Sequence, residues 1–520
     1  MQNLLEQVRH WMVYKPKGIM VYEGDKTFTY SEIHDRARRF AGGLKKLGIK
    51  KGMRVGALMF NNYRWYDLYY GLAAAGCILV PLNYRLANPE IEYQINDSGC
   101  KMMVFDPEFT KVVDDIKGNL TSVQHYIYTG DEAPFKGAIP YDTLLNADPF
   151  EADVTADDVF GIYYTGGTTG LAKGVMLTHK NILANAFQLC THINLTGDHL
   201  AMHAAPMFHL ADGASNFAVT LAGGSHVSVK AFEPLAVLKA IEKYKVTCAL
   251  LVPTMINMLI NHPDAGKYDL SSMRLIWYGA SPIAPDVLQR AISMFKCDFY
   301  QLYGMTEAGP ILTVLLPEDH MVDPDDPKSV KKLKAAGREV IGVQMRVVDK
   351  SGKDIKPGEI GEVLAKGDNI MAGYWAKPVE TEEVLSKDGW YQTRDLAEID
   401  ENGYIYIVDR AKDMIISGGE NIYTVEVESA LYKHPAILET AVIGVPDERW
   451  GEAVKACVVL KAGMKATESE IVDFCKKLIA AYKCPKSVDF LDAIPKSGAG
   501  KILKRELRDK YWKGHARGVA

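Results

Sequence analysis

From about residue 155 to 300 the chain alternates short β-rich runs with helical patterns: VFGIYY, NILANAFQL, TCALLVP, RLIWYG, a helix opening near Pro285, and FYQLYG. Strands that alternate with helices specify a layered α/β sheet, because each strand must be covered by the helix that follows it. Residues 20–105 repeat the style, with RVGALMF and CKMMVF as strands and EIHDRARRFAGGLKKLG as an amphipathic helix. LYYGLAAAGCILVPL, from Leu68 to Leu82, is too short to cross a bilayer and ends near a proline, so it reads as a buried helix followed by a strand. Near 317–340 the chain turns polar, and short alternating strands with glycine turns follow, such as EIGEVLAKG and GYIYIVD. After Asp409 come a charged segment, two strand-like runs (TAVIGVP, AVKACVVL) and a helix opened by the capping box TESE at 467–470.

The expected fold class is therefore α/β: a large N-terminal domain of two α/β lobes plus a β-rich subdomain, followed by a small α+β C-terminal domain. The boundary is set at residues 1–409 and 410–520. A chain of 520 residues exceeds what one hydrophobic core serves, in keeping with that division.

Sixty basic side chains against 65 acidic ones give a net charge of −5, so no general attraction to nucleic acid is expected. Eight cysteines are scattered without a CxxC pair, which suggests neither a disulfide framework nor a zinc site. The opening MQNLLEQVRHWMVYKP mixes both charge signs and lacks an apolar core, so no signal peptide is expected and the location is read as cytoplasmic.

The stretch YYTGGTTGLAKGVMLTH, Tyr163 to His179, sets glycines among threonines directly after an apolar strand. Glycines let backbone approach a ligand closely, and hydroxyls and N–H groups can ring phosphate oxygens. Phosphate is the natural anion. The P-loop pattern GxxxxGK[ST] fails, since Gly174 follows Lys173. From this stretch alone a Gly/Thr-rich hairpin turn remains the bland alternative.

The stretch resembles the phosphate-binding signature of the acyl-adenylate-forming enzymes: acyl-CoA synthetases, luciferases and peptide-synthetase adenylation domains. The likeness continues in order through PMFHLAD at 206–212, YGASPIAP at 278–285, QLYGMTEAG at 301–309, GWYQTRDLA at 389–397, DRAKDMIISGGENIYTVEVE at 409–428 and PKSGAGKILKREL at 495–507. The resemblance implies that Thr165, Gly166, Gly167, Thr168, Thr169, Gly170 and Lys173 hold the phosphates of ATP. It implies that Gly279, Ala280 and Ser281 line the adenine pocket, that Tyr303, with Gly304 and Met305 beside it, packs on the base, and that Thr306 contacts the α-phosphate. Glu307, with Thr165, is implied to serve Mg²⁺, a hard cation suited to oxygen ligands. Asp395, read as lying at the end of a turn, would accept the ribose hydroxyls, and Arg410 would reach the ribose. Lys412 falls at the hinge and can approach AMP. Ser417, Gly418 and Gly419 resemble the loop lining a pantetheine tunnel once the small, mobile domain has rotated. The family pattern Thr-Gly-Asp stands here as Thr393-Arg394-Asp395, which puts the local backbone in question.

Lys501 is the implied catalytic lysine. Attack of a carboxylate on an α-phosphate joins two anions, so a lysine bridging both stabilises the shared charge. Taken singly, Tyr303 is equally a core aromatic, Asp395 a solvated aspartate, and the lysine-rich terminus a solvated helix face. His209 is read as a residue that orients the substrate carboxylate rather than as a base. The implied reaction turns a carboxylic acid and MgATP into an acyl-adenylate, then transfers the acyl group to coenzyme A. Gly166 in place of the commoner serine resembles bacterial fatty acyl-CoA synthetases, so a medium- or long-chain fatty acid is the expected substrate; aryl acids of the cinnamate or benzoate type, or another acceptor, are the alternatives. Weak peripheral membrane contact and a homodimer are left open.

Overall fold

A computed structural model describes residues 1–165, 171–281, 283, 285–321, 326–417, 420–447, 449–497 and 501–513. Two large sheets form the body. An eight-stranded sheet runs, edge to edge, through Gly373–Tyr374, Lys173–Thr178, Val159–Thr165, Ile78–Pro81, Arg54–Leu58, Met102–Phe105, His125–Tyr128 and Ala138–Pro140. A nine-stranded sheet runs through Arg338–Glu339, Ile311–Leu315, Asp298–Gly304, Leu275–Gly279, Cys248–Leu250, Leu200–His203, Ser225–Ser228, Ile19–Glu23 and Lys26–Thr29. These are the two α/β lobes. Leu68–Leu82 is divided as expected, between helix Arg64–Ala75 and strand Ile78–Pro81.

Helix Tyr30–Lys46 forms where the sequence supplies both a cap and an apolar stripe. Tyr30–Lys46 starts at Thr29, whose hydroxyl accepts from Glu32 N while Glu32 returns the bond, and its basic last turn complements the helix dipole. Ile33, Ala37, Phe40, Ala41 and Leu44 recur at helical spacing and are buried. This face packs on Arg64–Ala75, where only a glycine fits: a Cβ on Gly71 would lie 2.7 Å from the Phe40 ring. Phe160 from one lobe and Trp277 from the other join Phe40 and Phe217 in one continuous core. Fully burying each such side chain contributes roughly 1.5–3 kcal/mol.

The β-rich subdomain is a four-stranded antiparallel sheet, Val343–Val348, Ile360–Gly367, Tyr391–Ile399 and Ile405–Arg410. Beyond it lies the smaller C-terminal domain. Its sheet orders Glu420–Ile422, Ile415–Ser417, Gly451–Leu460 and Ile437–Asp447, with Ser487–Phe490 beside Gly451–Leu460. Its own core gathers Ile415, Val427, Leu431, Val442, Val454 and Ile471. The capping box at Thr467 forms as expected, with the hydroxyl accepting from Glu470 N.

One expectation is corrected. Asp395 is not at the end of a turn; it sits within strand Tyr391–Ile399, in register with Arg410 across the sheet. The preceding Arg394 has φ of +63°, the left-handed region in which a Cβ is strained and glycine is not. Arg394 thus adopts a conformation suited to the glycine of the Thr-Gly-Asp pattern, held by Arg394 N donating to Glu362 at 3.3 Å and its guanidinium to Glu383 O at 3.3 Å. Relief of backbone strain outweighs the extra freedom that glycine gives the unfolded chain. Arg394→Gly is expected to raise stability by roughly 0.5–1 kcal/mol, read as a shift of the urea midpoint at unchanged slope; a lowered midpoint would contradict the strain.

Candidate active site

The site forms where strand Asp298–Gly304 ends beside Leu275–Gly279. Gly279 is required there, since a Cβ would sit 2.2 Å from Leu302 O of the neighbouring strand. Ala280 follows with φ of +68°, a second strained residue beside Ser281 at the rim. Tyr303, one residue before Gly304, donates its hydroxyl to Asp395 Oδ2 at 2.7 Å. The other carboxylate oxygen lies 3.4 Å from Arg410 Nε. Burial and the Asp395 charge push the Tyr303 hydroxyl pKa far up, so it stays a donor. An aromatic face, a buried carboxylate and a guanidinium from two different sheets are thereby fixed in one row. Such a row can take a planar base and a vicinal diol.

A second group gathers around Tyr374. Thr165 ends its strand opposite Lys173. Lys173 Nζ lies 5.1 Å from the centre of the Tyr374 ring, and the Tyr374 hydroxyl donates to Glu307 Oε1 at 3.1 Å. Glu307 and Thr306 share the short turn Thr306–Ala308, which follows Met305. Among the described residues no cluster of three or more His, Cys, Asp or Glu could hold a metal alone. One carboxylate with the Thr165 hydroxyl fits Mg²⁺, which keeps its waters and takes phosphate oxygens rather than a protein cage. Gly166, Gly167, Thr168, Thr169 and Gly170 lie outside the described residues, as do Gly418 and Gly419.

Lys501 comes from the C-terminal domain. Its backbone N–H donates to Ser497 Oγ at 3.2 Å, and its carbonyl accepts from Ser497 N at 2.7 Å. Burial pushes its ammonium pKa down to about 7, helped by the positive Arg410 and Lys412 and opposed by Asp395 and Asp413. Its charge is felt by His209, whose imidazole is held to about 4, chiefly by burial and then by Lys501. His209 caps helix Leu210–Ala222, its Nδ1 accepting from Ala211 N at 3.2 Å. The neutral ring keeps its Nε2–H as a donor toward an anion. Burial, then Arg410, lowers the Lys412 pKa, and the Lys412 carbonyl accepts from Arg508 at 3.4 Å. Ser417 is held within the sheet of the C-terminal domain, paired with Glu420 and with Gly451.

The structure therefore joins Tyr303, Asp395, Arg410, Lys501 and His209 in one electrostatic neighbourhood, and Lys173 with Glu307 in another. Sequence reasoning missed Tyr374, the aromatic between Lys173 and Glu307, because a two-residue strand carries no pattern of its own. It also missed Trp277. This indole, 1 % exposed, donates Nε1–H to Ser215 Oγ at 3.2 Å, joining strand Leu275–Gly279 to the helix that His209 caps.

Two family models match the chain: AMP-binding enzyme over residues 8–375 and the AMP-binding enzyme C-terminal domain over 426–501. A feruloyl-CoA synthase from an Amycolatopsis species is 39% identical over 500 residues, covering 95% of this chain and 96% of the relative. A long-chain-fatty-acid–CoA ligase of Salmonella typhimurium is 34% identical over 544 residues, covering 98% and 94%. Among solved structures, the anthranilate CoA ligase AuaEII in complex with anthranoyl-AMP superposes with a TM-score of 0.89 at 26% identity, over 98% of this chain and 97% of that one. With two family models matched and relatives aligned nearly end to end, the chain belongs to the AMP-binding enzyme family, the AMP-forming acid–CoA ligases that use ATP, Mg²⁺ and coenzyme A.

Proposed function

We propose that this chain activates an apolar carboxylic acid in two half-reactions at one site, residues 1–409 forming the body and 410–520 a lid that turns near Lys412. The acid's carboxylate oxygen attacks the α-phosphorus of ATP and the bond to pyrophosphate breaks. The sulfur of coenzyme A, losing its proton, then attacks the acyl carbonyl and the bond to AMP breaks. Lys501 bridges the carboxylate and the α-phosphate in the first step, where charge is shared between two anions. His209 donates from Nε2 to orient the carboxylate, Thr306 contacts the α-phosphate, and Tyr303, Asp395 and Arg410 bind the nucleoside. Mg²⁺ at Glu307 and Thr165 supplies charge neutralisation to the phosphates. The observation that carries this reading is the convergence on Asp395 of Tyr303, at 2.7 Å, and Arg410, at 3.4 Å, with the charge of Lys501 acting on the buried His209. Free thiols at all eight cysteines support a reducing, cytoplasmic setting.

For the acid we propose a straight-chain fatty acid, medium-length rather than long. We take the tail to run along the helix that His209 caps; from His209 to Ser215 that helix rises about 9 Å, and the buried Trp277 indole bonded to Ser215 would end such a path. A second reading, a compact aryl acid, draws on the same wall and on the feruloyl-CoA synthase at 39% identity.

Pyrophosphate release across straight-chain and aryl acids, with and without coenzyme A, tests both. For a fatty acid, kcat/KM rises about fourfold per methylene, the equivalent of roughly 0.8 kcal/mol each, until the indole stops it. In Trp277→Ala that break moves to longer acids. A best rate with aryl acids and no chain-length ladder selects the second reading, and release with no acid at all sinks the ligase assignment. Lys501→Ala is expected to abolish adenylation while sparing thioester formation from supplied acyl-adenylate; equal loss of both half-reactions contradicts its role. Because the bridging lysine must be protonated, kcat/KM for adenylation should fall about tenfold per pH unit above pH of about 7. The decline in kcat should come at higher pH, since two bound anions favour the charged form. A flat kcat/KM profile from pH of about 6 to 9 would remove the ammonium from that step.

A further inference from the structure

Lys504 begins the helix Lys504–Asp509, three residues after Lys501. Its sequence context, KILKRELRDKYWK, reads as a solvated helix face. Lys510 fits that reading, its side chain 49% exposed beside Asp489. Lys504 does not, for its side chain is only 13% exposed. Its ammonium lies 2.8 Å from Glu428 Oε1, itself 14% exposed, and also donates to Thr424 Oγ1. Thr424 opens the lid helix Thr424–Leu431, to which Glu428 also belongs.

The next link crosses the hinge. Thr424 Oγ1 donates to Asp409 Oδ2 at 2.9 Å, and Thr424 N donates to the same oxygen at 2.5 Å. Asp409 is 3% exposed and belongs to strand Ile405–Arg410, whose last residue is the Arg410 that faces Asp395. Its other oxygen accepts from Arg410 N at 2.7 Å. One turn beyond Lys504, Arg508 Nη1 lies 3.0 Å from Asp413 Oδ1. Lys504 and Arg508 thus stand four residues apart on one short helix and grip both ends of residues 409–413. Three buried carboxylates meet there, and without a cation among them they repel at low dielectric.

We propose that Lys504 is a positioning residue for Lys501: through Thr424 and Glu428 it latches the lid to Asp409 of the body, fixing the lid arrangement in which Lys501 faces His209. The inference rests on the two-step, moving-lid reading above. Lys504 touches no reacting atom. Its contacts span the hinge segment, so they belong to the lid arrangement of the first half-reaction, and turning the lid near Lys412 must break or rebuild the Thr424–Asp409 bonds.

The test measures both half-reactions in the full chain. In Lys504→Met, kcat for pyrophosphate exchange is expected to fall by about tenfold or more, while KM for MgATP changes less than about twofold. Thioester formation from supplied acyl-adenylate is expected to be unchanged or faster. Lys504→Arg restores exchange, since it returns a cation to the carboxylates. Thr424→Val cuts the bridge at nearly constant bulk and carries the same expectation where Lys504→Met fails to fold. Parallel loss of both half-reactions with a lowered melting temperature would show a merely structural residue, and wild-type exchange in Thr424→Val would overturn the latch. If the wild-type chain itself exchanges no pyrophosphate with any acid, the ligase reading fails instead, which separates the two failures.

Discussion

Everything at this site depends on how one buried carboxylate is shared. Asp395 accepts from Tyr303, on the nine-stranded sheet, and pairs with Arg410, on the subdomain sheet just before the hinge. A carboxylate that is 4% exposed cannot stand alone in protein, so both partners are obligatory. Because they come from different sheets, satisfying Asp395 also fixes the angle between body and subdomain. Arg410 ends the subdomain strand from which the chain leads on to the C-terminal domain.

The same sharing explains why a lysine can be delivered there at all. Lys501 enters a region already positive from Arg410 and Lys412, and its ammonium is held to about 7 by burial and those neighbours. Burial leaves that ammonium without the full solvation it has in water. On the proposed reading, a carboxylate and a phosphate would supply the missing stabilisation, so much of the binding energy would appear only when both are bound. That is differential stabilisation in its simplest form. His209, neutral for related reasons, adds a hydrogen-bond donor without adding a second charge to the crowd.

Much of this was legible in the sequence where local pattern decides structure. The alternation of apolar runs and amphipathic helices foretold both large sheets, and Thr467 with Glu470 marked a helix start to the residue. Lys501 stood out by motif. What stayed hidden arises from distance along the chain. Tyr374 joins Lys173 to Glu307 from a two-residue strand, and Trp277 crosses to Ser215 inside a run that reads only as a buried strand. Lys504 was passed over beside Lys501 because a lysine-rich helix gives no sign of which lysine is buried. Only the tertiary meeting of Asp409, Thr424 and Glu428 singles it out.

Strain marks the same boundary between local and tertiary control. Ala280 and Arg394 both occupy the left-handed region, though neither is glycine; Ala280 follows Gly279 at the end of its strand and Arg394 precedes Asp395. Each costs of order 1–2 kcal/mol locally, a cost that persists only where surrounding contacts overdetermine the backbone. For Arg394 those contacts are Glu362 and Glu383 O on one side and the Asp395–Arg410 register on the other. The arginine therefore converts a position suited to flexible glycine into a braced one directly beside Asp395. A braced Asp395 limits how far the Tyr303–Asp395–Arg410 row can relax, so on the proposed reading a turn of the C-terminal domain would fall to the residues after Arg410 and would remake the Asp409–Thr424 and Asp413–Arg508 contacts.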